Sequence, residues 1–321
     1  MATAPCGFRA YGVGRWPAAT HSRPAATHSR GDIVEDMRNN RLRELLQQGK
    51  PSLGTHLLSA WPTITELVGQ TGAWDYIEFV AEYTPWTLHD LDNLGRAIEL
   101  FPNFTGMIKI EQDTRGHLAM RSIGAGIQNL LFADVRTPEE ARQCVRSVRA
   151  EHPAQGGLHG VGMRRDVRTV LQGGSEEFVQ SLADAVIVLM IEKKEAVENL
   201  EAILDVKGVD MVQFGPSDYA MSIGIPGQGA NERVREAEKY VIETSHKRGI
   251  PARAEIRDAG GAPRYVEMGV EHFCVGWDVR ILHDWLTEQG KAMRDVLSGA
   301  GRDERAPTPV GAGSARTSGY N

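Results

Sequence analysis

The chain has 321 residues, 41% of them hydrophobic and 24% charged, which is the composition of a globular protein able to bury one large core or two ordinary ones. A formal net charge of −6 argues against a nucleic-acid partner, and no apolar stretch approaches the roughly 20 residues that cross a bilayer, so neither association is expected. The cysteines, Cys6, Cys144 and Cys274, are odd in number and scattered without zinc spacing, which suits a reducing compartment and a cytoplasmic location.

Residues 1–36 stand apart. They carry a tandem repeat, PAATHSR from Pro17 and again from Pro24, and four arginines (Arg9, Arg15, Arg23, Arg30) before the first acid, Asp32. Transit peptides share the arginine bias, but the prolines and the missing apolar stripe point instead to a disordered extension. Met37 then opens a helical pattern, MRNNRLRELLQQGK.

From there short apolar runs alternate with longer helical ones. The predicted strands are LGTHL from Leu53, YIEFV from Tyr76, GMIKI from Gly106 and IQNLLF from Ile127. They continue with VIVLMI from Val186, MVQFG from Met211, ARAEI from Ala252 and HFCVG from His272. Continuous apolar runs of this kind are those of parallel strands covered on their outer face. Among the helices between them, one opens at Thr137 with acids in its first turn, and another stops at Gly249. Eight strand–helix units over about 260 residues fit a (β/α)8 TIM barrel spanning 37–297, with an open doubly wound sheet as the competitor. One long irregular connection, 151–174, interrupts the alternation, and a Gly-, Pro-, Ser- and Arg-rich tail is expected to be disordered over 298–321.

Barrel chemistry sits at the carboxyl ends of the strands. There the sequence places Glu82 and Tyr83 after the second strand, Lys109 and Glu111 at the third, Glu192 after the fifth, and Gly215, Pro216, Ser217 and Asp218 after the sixth. If the fifth and sixth strands are neighbours, Glu192 and Asp218 share one rim and make a hard, all-oxygen site suited to Mg²⁺ or Mn²⁺. Duller readings exist: Asp218 or Ser217 as a helix cap, and Glu192 as a first-turn acid. Lys193, Lys194, Glu195, Glu198 and Glu201 read as a solvated helix face. His56, at the end of the first strand, reads as a hydrogen-bonded structural histidine.

The stretch MIEKKEAVENLEAILDVKGVDMVQFGPSDYAMSIG, with IQNLLFADVRTPEEAR, HGVG and YVEMGVEHFCVGWDVRIL, resembles the metal-dependent aldolases of the 4-hydroxy-2-oxoheptanedioate aldolase family, related to the citrate lyase β-subunit group. The likeness runs from about Pro51 to Gly290. It implies a divalent cation on Glu192 and Asp218 that polarises the keto group of a 2-oxo acid while a carbon–carbon bond breaks and a pyruvate enolate forms. It also implies a homo-oligomer, a hexamer or trimer of dimers, in which a C-terminal helix packs on a neighbour.

Other positions depart from the family pattern. Its D-G-E-H reads VAEY here, so the orienting Asp becomes Val80 and the catalytic His becomes Tyr83, while Glu82 is kept. The family arginine falls at Lys109, the Gln before the metal Glu at Met190, and the Arg of R-G-x-G at His159. Lys109, Tyr83 and Glu82 are therefore the expected catalytic residues. Lys109, Gly215, Pro216, Ser217, Arg164 and Arg165 are the expected substrate contacts, with Glu111 or a water as a further base. The leading expectation is a metal-dependent carbon–carbon lyase acting on a 4-hydroxy-2-oxo acid. Decarboxylation of an oxaloacetate-like acid, a Schiff-base enzyme built on Lys109 and a non-catalytic barrel binding metal and an acidic ligand are the alternatives.

Overall fold

The structure is a computed structural model and describes residues 38–165 and 173–300. The 1–36 extension, residues 301–321 of the expected tail and residues 166–172 of the long connection lie outside the described residues.

Eight parallel strands close into a barrel in simple chain order, β1 pairing with both β2 and β8. They are β1 (Ser52–Leu57), β2 (Tyr76–Val80), β3 (Thr105–Ile110), β4 (Asn129–Phe132), β5 (Val186–Ile191), β6 (Met211–Phe214), β7 (Ala252–Ile256) and β8 (His272–Trp277). The expected strands all form, with ends displaced by no more than a residue or two, and closure disposes of the open-sheet alternative. Twelve α-helices occur among the described residues. Before β5 come α1 (Arg41–Gln47), α2 (Pro62–Gln70), α3 (Leu88–Glu99), α4 (Arg115–Gly124), α5 (Pro138–Val148) and α6 (Glu176–Ala183). After it come α7 (Lys194–Glu198), α8 (Leu200–Leu204), α9 (Pro216–Ser222), α10 (Glu232–Lys247), α11 (Ala262–Glu267) and α12 (Asp278–Gly299).

Strand periodicity sorts the side chains into two cores. Ile77, Phe79, Ile108, Ile110, Leu130 and Phe132 face outward and pack on the helices. The alternate residues Tyr76, Met107, Leu131, Val186, Val188, Met190 and Met211 fill the barrel interior together with Leu42 of α1. Burying Leu42 inside the barrel stabilises it by about 2 kcal/mol, which docks α1 as a plug. Gly54 of β1 makes room for this layer, since a Cβ there would fall 2.2 Å from the Tyr76 ring.

Helix ends follow local chemistry. The Thr137 hydroxyl accepts from the Glu140 N–H and caps α5 as expected, and Gly249 takes φ +72° just after α10. The helix expected from Met37 begins only at Arg41. Asn40 at its N-cap spends its side-chain amide on Asn129 Oδ1 (2.8 Å) and the Asp184 carbonyl (2.9 Å) instead of capping. At the other terminus α12 runs to Gly299, past the Ser298 where the tail is expected to start, and buries none of its residues.

Candidate active site

The inward row of β5 runs Val186, Val188, Met190, and its next member is Glu192, which stands at the carboxyl rim with 2% exposure. Its Oε1 accepts from the backbone N–H of Asp134 at 2.8 Å. Asp134 reaches that position with φ +57°, the sole non-glycine residue of positive φ among the described residues, in a region a short polar side chain tolerates. Across β6, Gly215 lets the main chain lie against the carboxylate, because a Cβ there would sit 2.6 Å from Glu192 Oε2. Burial pushes the Glu192 carboxyl up to about 7; Lys109 and the Asp134 N–H oppose the rise, while Asp218 and Glu82 add to it.

β5 and β6 pair in register through Ile191 and Phe214, so Glu192 and the β6 exit are adjacent, as the neighbouring-strand argument requires. Asp218 lies in the first turn of α9, half-exposed, and no side chain caps that helix. Glu192 is likewise buried at the rim ahead of α7, so neither acid serves the duller role open to it. Lys193 corrects another expectation. It is not on a solvated face: its ammonium bridges Asp218 Oδ1 (2.6 Å) and Asp134 Oδ1 (2.8 Å) with 15% side-chain exposure. Lys194, paired with Glu198, is solvated as expected.

Lys109 ends the inward row of β3, is buried, and lies 2.5 Å from Glu82 Oε2. Its ammonium stands 5.8 Å from the centroid of the Tyr83 ring, and Tyr83 itself is 62% exposed at the mouth. Glu111 is turned aside, accepting from Thr114 Oγ1 at 2.7 Å. Val80, at the position where the resemblance expects an orienting acid, is fully buried.

Arg164 and Arg165 are not at this rim. Arg164 donates to Ser181 Oγ (3.0 Å) and stacks over Phe178, both of α6. Arg165 pairs with Asp92 (2.8 Å) and Glu99 (3.5 Å) of α3, and its N–H bonds the Gly124 carbonyl. Gly124 ends α4 and leads toward the amino end of β4, so the pair anchors the long connection on the side opposite Glu192. Their expected substrate contact is corrected accordingly: their charges are engaged in holding the loop.

Beneath the rim lies a polar layer that the sequence reading passed over. Glu78 of β2 and Arg253 of β7 form an ion pair with both side chains fully buried. His56 Nδ1 lies 3.2 Å from Glu255 Oε1 and 3.6 Å from Glu78 Oε1, and Gln213 donates to Glu255 Oε2 at 3.1 Å. A signal existed. The run YIEFV carries a charge at its middle position and ARAEI carries two at alternate positions, and in a barrel such charges point inward together.

Among the described residues, two donor sets could hold a cation. His56, Glu78 and Cys274 offer ligand atoms within 4.8 Å of one another, but the Arg253 guanidinium already neutralises Glu78 there. At Glu192 and Asp218 the donors are all oxygen. The buried Glu192 carboxyl gains from a cation, whereas the Lys193 ammonium already pairs with Asp218 and has to move aside before a metal can share that carboxylate. An all-oxygen pair of this kind is the donor chemistry of hard divalent ions such as Mg²⁺ or Mn²⁺.

A family profile described as HpcH/HpaI aldolase/citrate lyase matches residues 109–283. The 2-keto-3-deoxy-L-rhamnonate aldolase of Escherichia coli is 29% identical over 242 residues, 74% of this chain and 84% of that protein. Among solved structures, an HpcH/HpaI aldolase from Desulfitobacterium hafniense superposes with a TM-score of 0.71 at 27% identity, covering 79% of this chain and 96% of that one. An HpcH/HpaI aldolase/citrate lyase family protein from Burkholderia cenocepacia gives 0.70 at 26% identity, covering 82% and 100%.

Proposed function

The chain belongs to the HpcH/HpaI aldolase/citrate lyase family, and from that premise we propose that it is a divalent-metal-dependent carbon–carbon lyase cleaving a 4-hydroxy-2-oxo acid to pyruvate and an aldehyde. One observation carries the reading: Glu192, buried at the rim with its carboxyl raised to about 7, faces Gly215 just past the neighbouring strand and feels Asp218. A buried acid without a matching cation is costly, and a divalent ion removes that cost. This also weighs against a barrel that leaves the site idle.

Glu192 and Asp218 would hold Mg²⁺ or Mn²⁺, which supplies Lewis acidity toward the keto oxygen of a 2-oxo acid. Lys109 directs its ammonium toward the same rim and offsets the negative charge that develops on that oxygen as the C3–C4 bond breaks. Unlike an arginine it gives a point charge without a fork, so Glu82, 2.5 Å away, is what fixes its direction. That ion pair also disfavours Lys109 as a Schiff-base nucleophile, which needs a free amine. Gly215, Pro216 and Ser217 lead from the β6 exit to Asp218 and are the proposed contacts for the substrate α-carboxylate, Gly215 being the residue whose missing Cβ admits the Glu192 carboxylate.

Decarboxylation of an oxaloacetate-like acid is the second reading. Val80 and Tyr83 support it, since that reaction removes no hydroxyl proton and does without the histidine–aspartate pair at those positions. A panel of 4-hydroxy-2-oxo acids, including 2-keto-3-deoxy-L-rhamnonate, tested beside oxaloacetate with Mg²⁺ or with chelator, separates the two. Chelator-sensitive pyruvate release from the hydroxy acids supports the lyase; release from oxaloacetate alone supports the decarboxylase. Release that survives both chelation and Glu192→Ala overturns the metal site.

The same reading places the protein in the cytoplasm as a homo-oligomer. No described helix is long and apolar enough to cross a membrane. α12 presents Ile281, Leu282, Trp285, Leu286, Met293 and Val296, each more than half exposed, along one stripe of helical spacing. An apolar stripe of that size supports a partner subunit.

A further inference from the structure

Val80 and Tyr83 leave the β2 exit without a histidine–acid pair, yet a histidine–acid pair stands at the same mouth on other strands. His56 ends the inward row of β1 and Glu255 that of β7, with Nδ1 and Oε1 3.2 Å apart and the histidine 4% exposed. With Leu58, Tyr83 and Trp277 they line a cavity of about 130 Å³ at the carboxyl end of the barrel. Tyr83 joins this cavity to the described site, because Lys109 stands 5.8 Å from its ring. We propose that His56, oriented by Glu255, is the proton-transfer group of this enzyme, replacing from β1 and β7 the pair absent after β2. The assignment rests on the pyruvate reading above and revises the structural role expected for His56.

The charged and titratable groups around the imidazole are Glu78 and Tyr83 from β2 and its exit, Glu255 from β7 and Cys274 from β8, with Arg253 of β7 behind Glu78 and Glu255. Burial works against a charge on the ring, but the Glu255 carboxylate, Cys274 and Glu78 outweigh it and hold His56 well above the ordinary histidine value. Glu255 is held down to about 2 against its burial, chiefly by His56. The carboxylate thus favours the imidazolium form of the pair, and the ring accepts a proton only after losing one to solvent.

The proton balance closes on this one residue. In addition, neutral His56 takes a proton from C3 of pyruvate, the C–H pair becomes the C2–C3 double bond, and charge collects on the C2 oxygen near Lys109. C3 then bonds to the aldehyde carbon, whose oxygen takes the proton back from the imidazolium and becomes the 4-hydroxyl. Cleavage reverses each transfer, and no oxidant, reductant or second acid is required.

Exchange of the pyruvate methyl hydrogens in D₂O with Mg²⁺, followed by proton NMR, tests the first transfer without naming the aldehyde. Wild type is expected to exchange, with a rate that rises with pH through the imidazole. His56→Gln is expected to lose about 100-fold or more, while Mg²⁺-dependent binding of oxalate stays within about threefold by calorimetry, which shows an intact site. Glu255→Gln removes the charge that favours imidazolium, so its pH–rate limb is expected to move to lower pH. A merely structural histidine moves neither limb nor exchange. Exchange within threefold of wild type in His56→Gln, together with an unmoved limb in Glu255→Gln, overturns the assignment and leaves the lyase reading standing. A wild type that binds no oxalate and exchanges no hydrogen overturns both.

Discussion

Replacing Glu192 with Gln removes one charge and almost no volume, so its effect on the metal-free protein is electrostatic. Raising the carboxyl from its ordinary 4.5 to about 7 corresponds to about 3 kcal/mol of cost to the folded state when the group is ionised. Because the folded value lies above the unfolded one, that cost is absent below about pH 4, grows as pH rises through the gap, and is complete above about pH 7. In chelator at pH 8, Glu192→Gln is therefore expected to melt roughly 6–12 °C higher than wild type, at about 2–4 °C per kcal/mol. The difference vanishes at pH 4. Saturating Mg²⁺ reverses the order: wild type rises with cation concentration by mass action, and the variant does not. Scanning fluorimetry over pH, with and without Mg²⁺, reads both effects. Equal melting at pH 8 in chelator, or an equal Mg²⁺ response in both proteins, refutes the placement of a carboxylate raised by burial at this rim.

Gly215→Ala places a Cβ 2.6 Å from Glu192 Oε2. A loss of about 1–3 kcal/mol from overpacking is expected, and calorimetry should find Mg²⁺ binding weakened as the carboxylate is displaced. Arg253→Met strands the buried Glu78 and is expected to cost about 3–5 kcal/mol in denaturant unfolding, whereas the double change with Glu78→Leu recovers most of it. Lys193→Met removes the ammonium shared by Asp134 and Asp218. Mg²⁺ should then bind roughly tenfold more tightly, about 1.4 kcal/mol, while the cation-free protein loses stability. Leu282→Ser with Trp285→Ser, on the exposed stripe of α12, should lower the assembly state seen by light scattering and leave the far-ultraviolet circular dichroism unchanged.

Much of the barrel is determined locally. Apolar runs such as VIVLMI, Thr137 before an acidic first turn and Gly249 after a helical run are short-range facts, and they place eight strands and several helix ends within a residue or two. The row from Val186 to Glu192 is equally local, because alternation on one strand carries the acid to the rim whatever surrounds it. Tertiary structure decided everything that depends on which strands face one another. Glu78 and Arg253 are 175 residues apart in the chain and meet only because a closed sheet turns β2 and β7 toward one axis. His56 and Glu255 owe their pairing to the same closure. Lys193 reads as surface on its own helix and becomes a bridge only when the β4 and β6 exits bring Asp134 and Asp218 to it. Arg164 and Arg165 are the reverse case, charges that look available until α3 and α6 supply their partners. Periodicity tells a side chain which way to point; only closure of the sheet tells it what it will meet there, since the energy of a buried charge is set by neighbours distant in the chain.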